Sequence, residues 1–151
     1  MEALEIDQRI EASSPLALRA CVEPEGGLII AEREESVLTA WLVNFDSKTI
    51  LDFDAAGRLA SIEVVVPITR LARSRIIIPI VTEMVALRLR SLPTERSETI
   101  QEPVRLRRDP ANNLIEILFR PDAHFERFHA LGPNVYVATT DGILEAAYMS
   151  L

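Results

Sequence analysis

Apolar and polar positions alternate with period two over much of the chain, and the apolar ones are rich in β-branched residues. Val104-Arg105-Leu106-Arg107 alternates strictly, and Leu114-Ile115-Glu116-Ile117-Leu118-Phe119 follows after Asp109-Pro110-Ala111-Asn112-Asn113. This is the signature of two strands joined by a turn. Proline ends the first strand because it cannot donate to a ladder, and paired Asn or Gly residues tolerate the positive φ of a tight hairpin. The same logic predicts strands over Leu16–Val22 and Leu28–Ala31, around the turn Glu23-Pro24-Glu25-Gly26-Gly27. It predicts Thr49–Phe53 and Leu59–Val66 around Asp54-Ala55-Ala56-Gly57, and Asn134–Ala138 and Ile143–Met149 around Thr139–Gly142. Residues 36–43 read equally as a strand or a short helix. Pro67 to Ser74 suits one or two helical turns with proline near the start. Ile76-Ile77-Ile78-Pro79-Ile80-Val81 is the most apolar run, expected as a buried strand continuing to Leu89, with Pro79 at an edge or bulge.

These hairpins come in two sets. At a shift of 86 positions Glu23-Pro24 falls on Asp109-Pro110, Leu28-Ile29 on Leu114-Ile115, and Arg19 on Arg105. At a shift of 85, Gly57 falls on Gly142 and Leu59 on Leu144. At a shift of 83, Ala3-Leu4-Glu5-Ile6 falls on Ala86-Leu87-Arg88-Leu89. The expected organisation is therefore a first β-rich unit over 1–66, a connecting segment over 67–85 and a second unit over 86–151. The fold class is mainly β, or α+β should the helix after Pro67 form. The two pseudo-symmetric antiparallel units should share one core, since units this small bury too little surface alone.

The run from Ile50 through Leu51-Asp52-Phe53-Asp54-Ala55-Ala56-Gly57-Arg58-Leu59 to Ile62-Glu63-Val64 resembles the ending of a family of small bacterial proteins known only as a domain of unknown function. Arg107-Arg108-Asp109-Pro110 with Leu114-Ile115-Glu116-Ile117 resembles its beginning. The chain departs from the pattern at Ser61, where a glycine is usual, and at Ala147-Tyr148, Val137 and Thr139 in the second unit. The resemblance implies a β-rich fold, here as tandem degenerate copies, and carries no assigned reaction.

Charge adds a polarity. Net charge is −7, with 16 basic and 23 acidic residues. Residues 1–66 hold 5 basic and 13 acidic residues, whereas Arg70, Arg73, Arg75, Arg88, Arg90, Arg105, Arg107 and Arg108 crowd the middle. The acidic balance disfavours general nucleic-acid binding, and no aromatic residues interleave with the arginines as stacking platforms. These arginines are expected on solvated strand and loop faces, with a phosphate site as the sharper reading. The single cysteine excludes an internal disulfide, the first residues lack a signal-peptide pattern, and no apolar run reaches membrane-spanning length, so a cytoplasmic location is expected.

Two stretches carry ligand-type residues. Asp52-x-Asp54-x-Ala56-Gly57 with Glu63 at the twelfth place imitates a calcium loop. Ala56 supplies no oxygen, the flanks are strand-like and the second unit lacks the ligands, so a strand–turn–strand with outward carboxylates is favoured. Asp122-x-His124-x-Glu126, with His129 nearby, would present metal-type ligands on one strand face, against the plainer reading of a polar loop or edge strand. Cys21 is expected as a buried thiol and Trp41 as a core residue. No nucleophile elbow or phosphate-cradling glycine loop occurs. No catalytic residue and no cofactor is assigned. The expected function is a non-catalytic interaction or accessory protein with a protein partner or a second copy of itself. A small-ligand or metal-binding protein or an unrecognised enzyme using the acidic turns is the alternative, and a nucleic-acid regulator a minor one.

Overall fold

The computed structural model describes residues 3–9, 16–23, 27–81, 84–120 and 125–151. Among them the chain forms strands and no α-helix. The first unit supplies β1 (Ile6–Arg9), β2 (Leu18–Val22), β3 (Ile29–Arg33), β4 (Trp41–Phe45), β5 (Thr49–Phe53) and β6 (Leu59–Val64). The connection holds a single 3-10 turn at Ile68–Arg70 and the short β7 (Ala72–Arg73). Then come β8 (Ala86–Leu89), β9 (Ser97–Ile100), β10 (Arg105–Asp109), β11 (Leu114–Leu118), β12 (Arg127–Ala130), β13 (Val135–Thr140) and β14 (Ile143–Ser150).

Two six-stranded sheets of like plan result. The N-sheet runs β2-β3-β6-β5-β4-β9 and the C-sheet β7-β10-β11-β14-β13-β12. Five strands of each follow the same antiparallel path. The sixth in each is parallel, so the sheets are mixed rather than purely antiparallel: β9 joins β4, whereas β7 joins β10 at the opposite side of the plan. The likeness extends to a bulge. Asp52 pairs with Ser61 and Phe53 with Leu59, skipping Ala60; Ala138 pairs with Ala146 and Thr139 with Leu144, skipping Glu145. The turns that follow take left-handed backbone at Gly57 (φ 78°) and Gly142 (φ 73°), which glycine adopts without strain.

The inner faces share one core. Val43, Phe45, Leu51, Phe53 and Ile62 from the N-sheet pack with Ile115, Ile117, Phe119, Val137 and Met149 from the C-sheet. The Phe45 and Phe119 rings meet 4.6 Å apart. Trp41 is half-buried against this core. The units also exchange their first strands. β1 pairs with β8, the Ile6 N–H donates to the Gly142 carbonyl at 2.8 Å, and the Leu89 N–H donates to the Gly57 carbonyl at 2.8 Å. Each opening strand is thus held by the other unit's last hairpin. Further in, the Leu18 N–H donates to the Leu131 carbonyl, and its backbone comes so near Gly132 that a Cβ there would lie 1.8 Å from the Leu18 oxygen.

Several expectations are corrected. The run 76–81 is not a strand: Ile76 is buried, but Ile77 and Ile80 are 76% and 94% exposed, and regular pairing resumes only at Ala86. A proline within the run and the absence of a neighbouring ladder account for this. Cys21 is exposed, because β2 turns Leu18 and Ala20 inward and Arg19 and Cys21 outward. Residues 36–40 are irregular, and the strand begins at Trp41. Part of the counterpart stretch, 121–124, lies outside the described residues. β9 carries no strand signal in its Ser97-Glu98-Thr99-Ile100 sequence.

Candidate functional site

The outer faces of the sheets differ in kind. On the N-sheet, register places Glu32, Ser61 and Asp52 in one row across β3, β6 and β5. Ile30, Glu63 and Ile50 form the next row. Glu63 therefore stands diagonal to both Glu32 and Asp52. The segment after β3 folds back beside these rows, and Glu34, Glu35, Ser36, Val37 and Thr39 wall a cleft of about 300 Å³ over them. The Ser61 hydroxyl donates to Asp52 Oδ2 at 2.5 Å, while Asp52 Oδ1 is buried without a partner. Burial, then Asp52, then Glu32 push the Glu63 carboxyl above the usual glutamate range. Glu34 also reaches Arg19 in an exposed pair at 3.4 Å.

Asp54, two residues from Asp52, does not belong to this cleft, and the expectation that both carboxylates point outward is corrected. It is buried, with Oδ2 accepting from Arg33 at 3.1 Å and Arg58 at 3.0 Å and Oδ1 accepting from the backbone N–H groups of Ala56 and Arg58. Burial alone would raise its pKa. The hydrogen bonds from Arg58 and Arg33 and the Arg33 charge outweigh that and hold it below the usual aspartate range. Arg33 also donates to the Leu59 carbonyl. Asp54 is thus a structural clasp of the β5–β6 turn, and the calcium-loop spacing is split between a clasp and an open face.

Of the second set, Asp122 and His124 lie outside the described residues. Glu126 is exposed and His129 half-buried, with a ring nitrogen 3.4 Å from the Thr139 hydroxyl. Among the described residues no three His, Cys, Asp or Glu side chains are arranged to hold a metal ion. No helix among them is long and apolar enough to cross a membrane. The residue that sequence reasoning missed is Glu32. Its only signal was the acidic run Glu32, Glu34, Glu35 directly after an apolar strand.

The same positions on the C-sheet are apolar. Counting along matched registers, Leu118 stands where Glu32 does, Ala146 where Ser61 does, Ala138 where Asp52 does and Tyr148 where Glu63 does. These four pack with Ile76 and Leu114, and Ile78, Phe125, Phe128 and Tyr136 lean on them. Phe125, Phe128 and Tyr148 form mutual ring contacts 5.8–6.5 Å apart. Burial and the Glu116 carboxylate push the Tyr148 hydroxyl well above its usual range. Glu116 is itself held by Arg107, whose Nε donates to it at 2.6 Å.

No protein-family model matches the chain, and no curated protein matches it. The two similar six-stranded sheets are consistent with tandem β-rich units.

Proposed function

We propose that the protein is a non-catalytic interaction module of the bacterial cytosol that receives a cationic segment of a protein partner on the outer face of its N-sheet. The observation that carries this reading is the cleft bearing Glu32, Asp52 and Glu63. Its lining includes the apolar Val37 and Ala60 and also Arg33, whose guanidinium is engaged by Asp54 and the Leu59 carbonyl; apart from these and the hydroxyls of Ser36, Thr39 and Ser61, its side chains offer acceptors and negative charge. A lysine or arginine side chain supplies the donors and charge that such a face lacks. Part of this reading is that the two units are diverged tandem copies of the small bacterial domain, whose members carry no assigned reaction.

The test is titration of a fluorescent oligo-arginine peptide into the protein, with an oligo-glutamate control. Saturable, salt-sensitive binding should weaken about tenfold or more in Glu63→Lys, in keeping with loss of a charge-assisted contact. Binding that is equal in Glu63→Lys and wild type, or absent, would overturn the proposal.

A further inference from the structure

The arginines divide into paired and unpaired sets. Arg19, Arg33, Arg58, Arg88, Arg90 and Arg107 each meet a carboxylate. Among the described residues Arg70, Arg73, Arg75, Arg96, Arg105, Arg108, Arg120 and Arg127 meet none, and of these Arg73, Arg75 and Arg108 lie together where β7 joins β10. Arg73 and Arg108 are register partners on adjacent parallel strands. Arg73 follows Leu71 by two and Arg108 follows Leu106 by two, and both leucines pack against the inner core. Both arginines therefore leave the sheet on that face, at its rim.

Like charges placed directly opposite destabilise a sheet. Among the described residues no carboxylate pairs with either arginine. The neighbour of Arg108 on the other side is Ile115. Arg108 Nε is buried without a hydrogen-bond partner. The nearby carboxylate of Asp109 is already engaged: Oδ1 accepts from the Ala111 and Asn112 N–H groups, and Oδ2 from the Ile76 N–H and the Asn112 amide. Arg73, Ser74 and Arg75 face the Asp109–Asn112 turn across an open groove of about 560 Å³. At the matching place in the N-sheet Val22 occupies the position of Arg108, and among the described residues no strand lies beside β2 there.

We infer that the β7–β10 edge is a binding site for a phosphate group, held by the guanidinium groups of Arg73 and Arg75, which line the groove, with Arg108, the register partner of Arg73, beside them. Two guanidinium forks side by side match the several acceptor oxygens of one phosphate, and a bound dianion turns their repulsion into attraction. A single phosphate is favoured over a nucleic-acid strand because the chain is acidic overall and the groove offers no aromatic side chain for base stacking.

Calorimetric titration of the intact protein with inorganic phosphate tests this, with phenyl phosphate and an oligothymidylate as parallel probes. Saturable phosphate binding is expected, about tenfold or more weaker in Arg73→Ala and partly kept in Arg73→Lys. Arg73 is exposed, so that variant should fold even if Arg108→Ala does not. Tighter binding of phenyl phosphate would identify a phosphorylated small molecule, and equal binding free phosphate, both in support. No saturable binding, equal binding by Arg73→Ala, or an oligothymidylate bound more tightly than either with a steep salt dependence would overturn it.

Discussion

The outer faces of the two sheets begin from one plan and end as opposites. Matched positions hold Glu32, Asp52, Ser61 and Glu63 on the N-sheet and Leu118, Ala138, Ala146 and Tyr148 on the C-sheet. The backbone path, the bulge and the turn glycines stayed alike, because they are fixed by pairing and by positive φ. The face turned away from the common core is not bound by those constraints, and there the two sheets differ. On the C-sheet it became a second small core under Ile76. On the N-sheet it became a charged cleft under a polar loop. Two sheets of one plan thus differ in that one outer face is covered by an apolar cluster and the other is an open, acidic cleft.

The contrast can be broken most severely by exchanging its chemistry. Tyr148→Glu places the residue of position 63 into the apolar cluster beside Glu116, and should cost about 5 kcal/mol in urea unfolding. The reverse exchange, Glu63→Tyr, should be far milder, since that face is open to solvent. Next comes Asp54→Ala, which strands the buried Arg33 and should cost about 3–5 kcal/mol by the same measurement. Arg33 stands where the C-sheet has Phe119, so this variant probes a charged solution to a site that its counterpart fills with a ring. Ile76→Ala should cost about 2–4 kcal/mol and raise hydrogen exchange over 74–80, with little change in the N-sheet.

The smallest effect has a sign that sharpens the contrast. Glu63 has a raised pKa when folded, so the folded state holds its proton more firmly than the unfolded one. Stability from this group falls as pH rises from the ordinary glutamate range through the folded value. Glu63→Gln should therefore gain about 0.2–1 kcal/mol at neutral pH and nothing below that range, as urea unfolding at a series of pH values would show. Asp54 has the opposite sign: its contribution is present above the ordinary aspartate range and is lost as pH falls through its lowered value.

The hairpins were legible because turn chemistry is local. Asp109-Pro110 through Asn113 and Asp54 through Gly57 announce their turns in a few residues, and alternation fixes the strands beside them. The two like sheets and their shared core are consistent with the repeat read from the same motifs. What stayed hidden depends on distant partners. β9 is a strand because Trp41–Phe45 offers it an edge, not because Ser97–Ile100 favours one. Ile76 is buried and Ile77 exposed because a sheet lies under only one of them. Cys21 faces outward because β2 is an edge whose inner positions are Leu18 and Ala20. The acidic cleft was half legible: Asp52 and Glu63 stood out by spacing, but only strand pairing carries Glu32 to them and takes Asp54 away.

The exchange of opening strands bears on how the chain emerges during synthesis. The strand partner of Ile6 is Leu89, and the carbonyl it bonds belongs to Gly142. During synthesis β1 can therefore pair only once β8 has appeared and is completed only after Gly142, whereas β8 can close on Gly57 as soon as it appears. Folding of these residues is consequently ordered in time, with β1 docking after the strands that follow it.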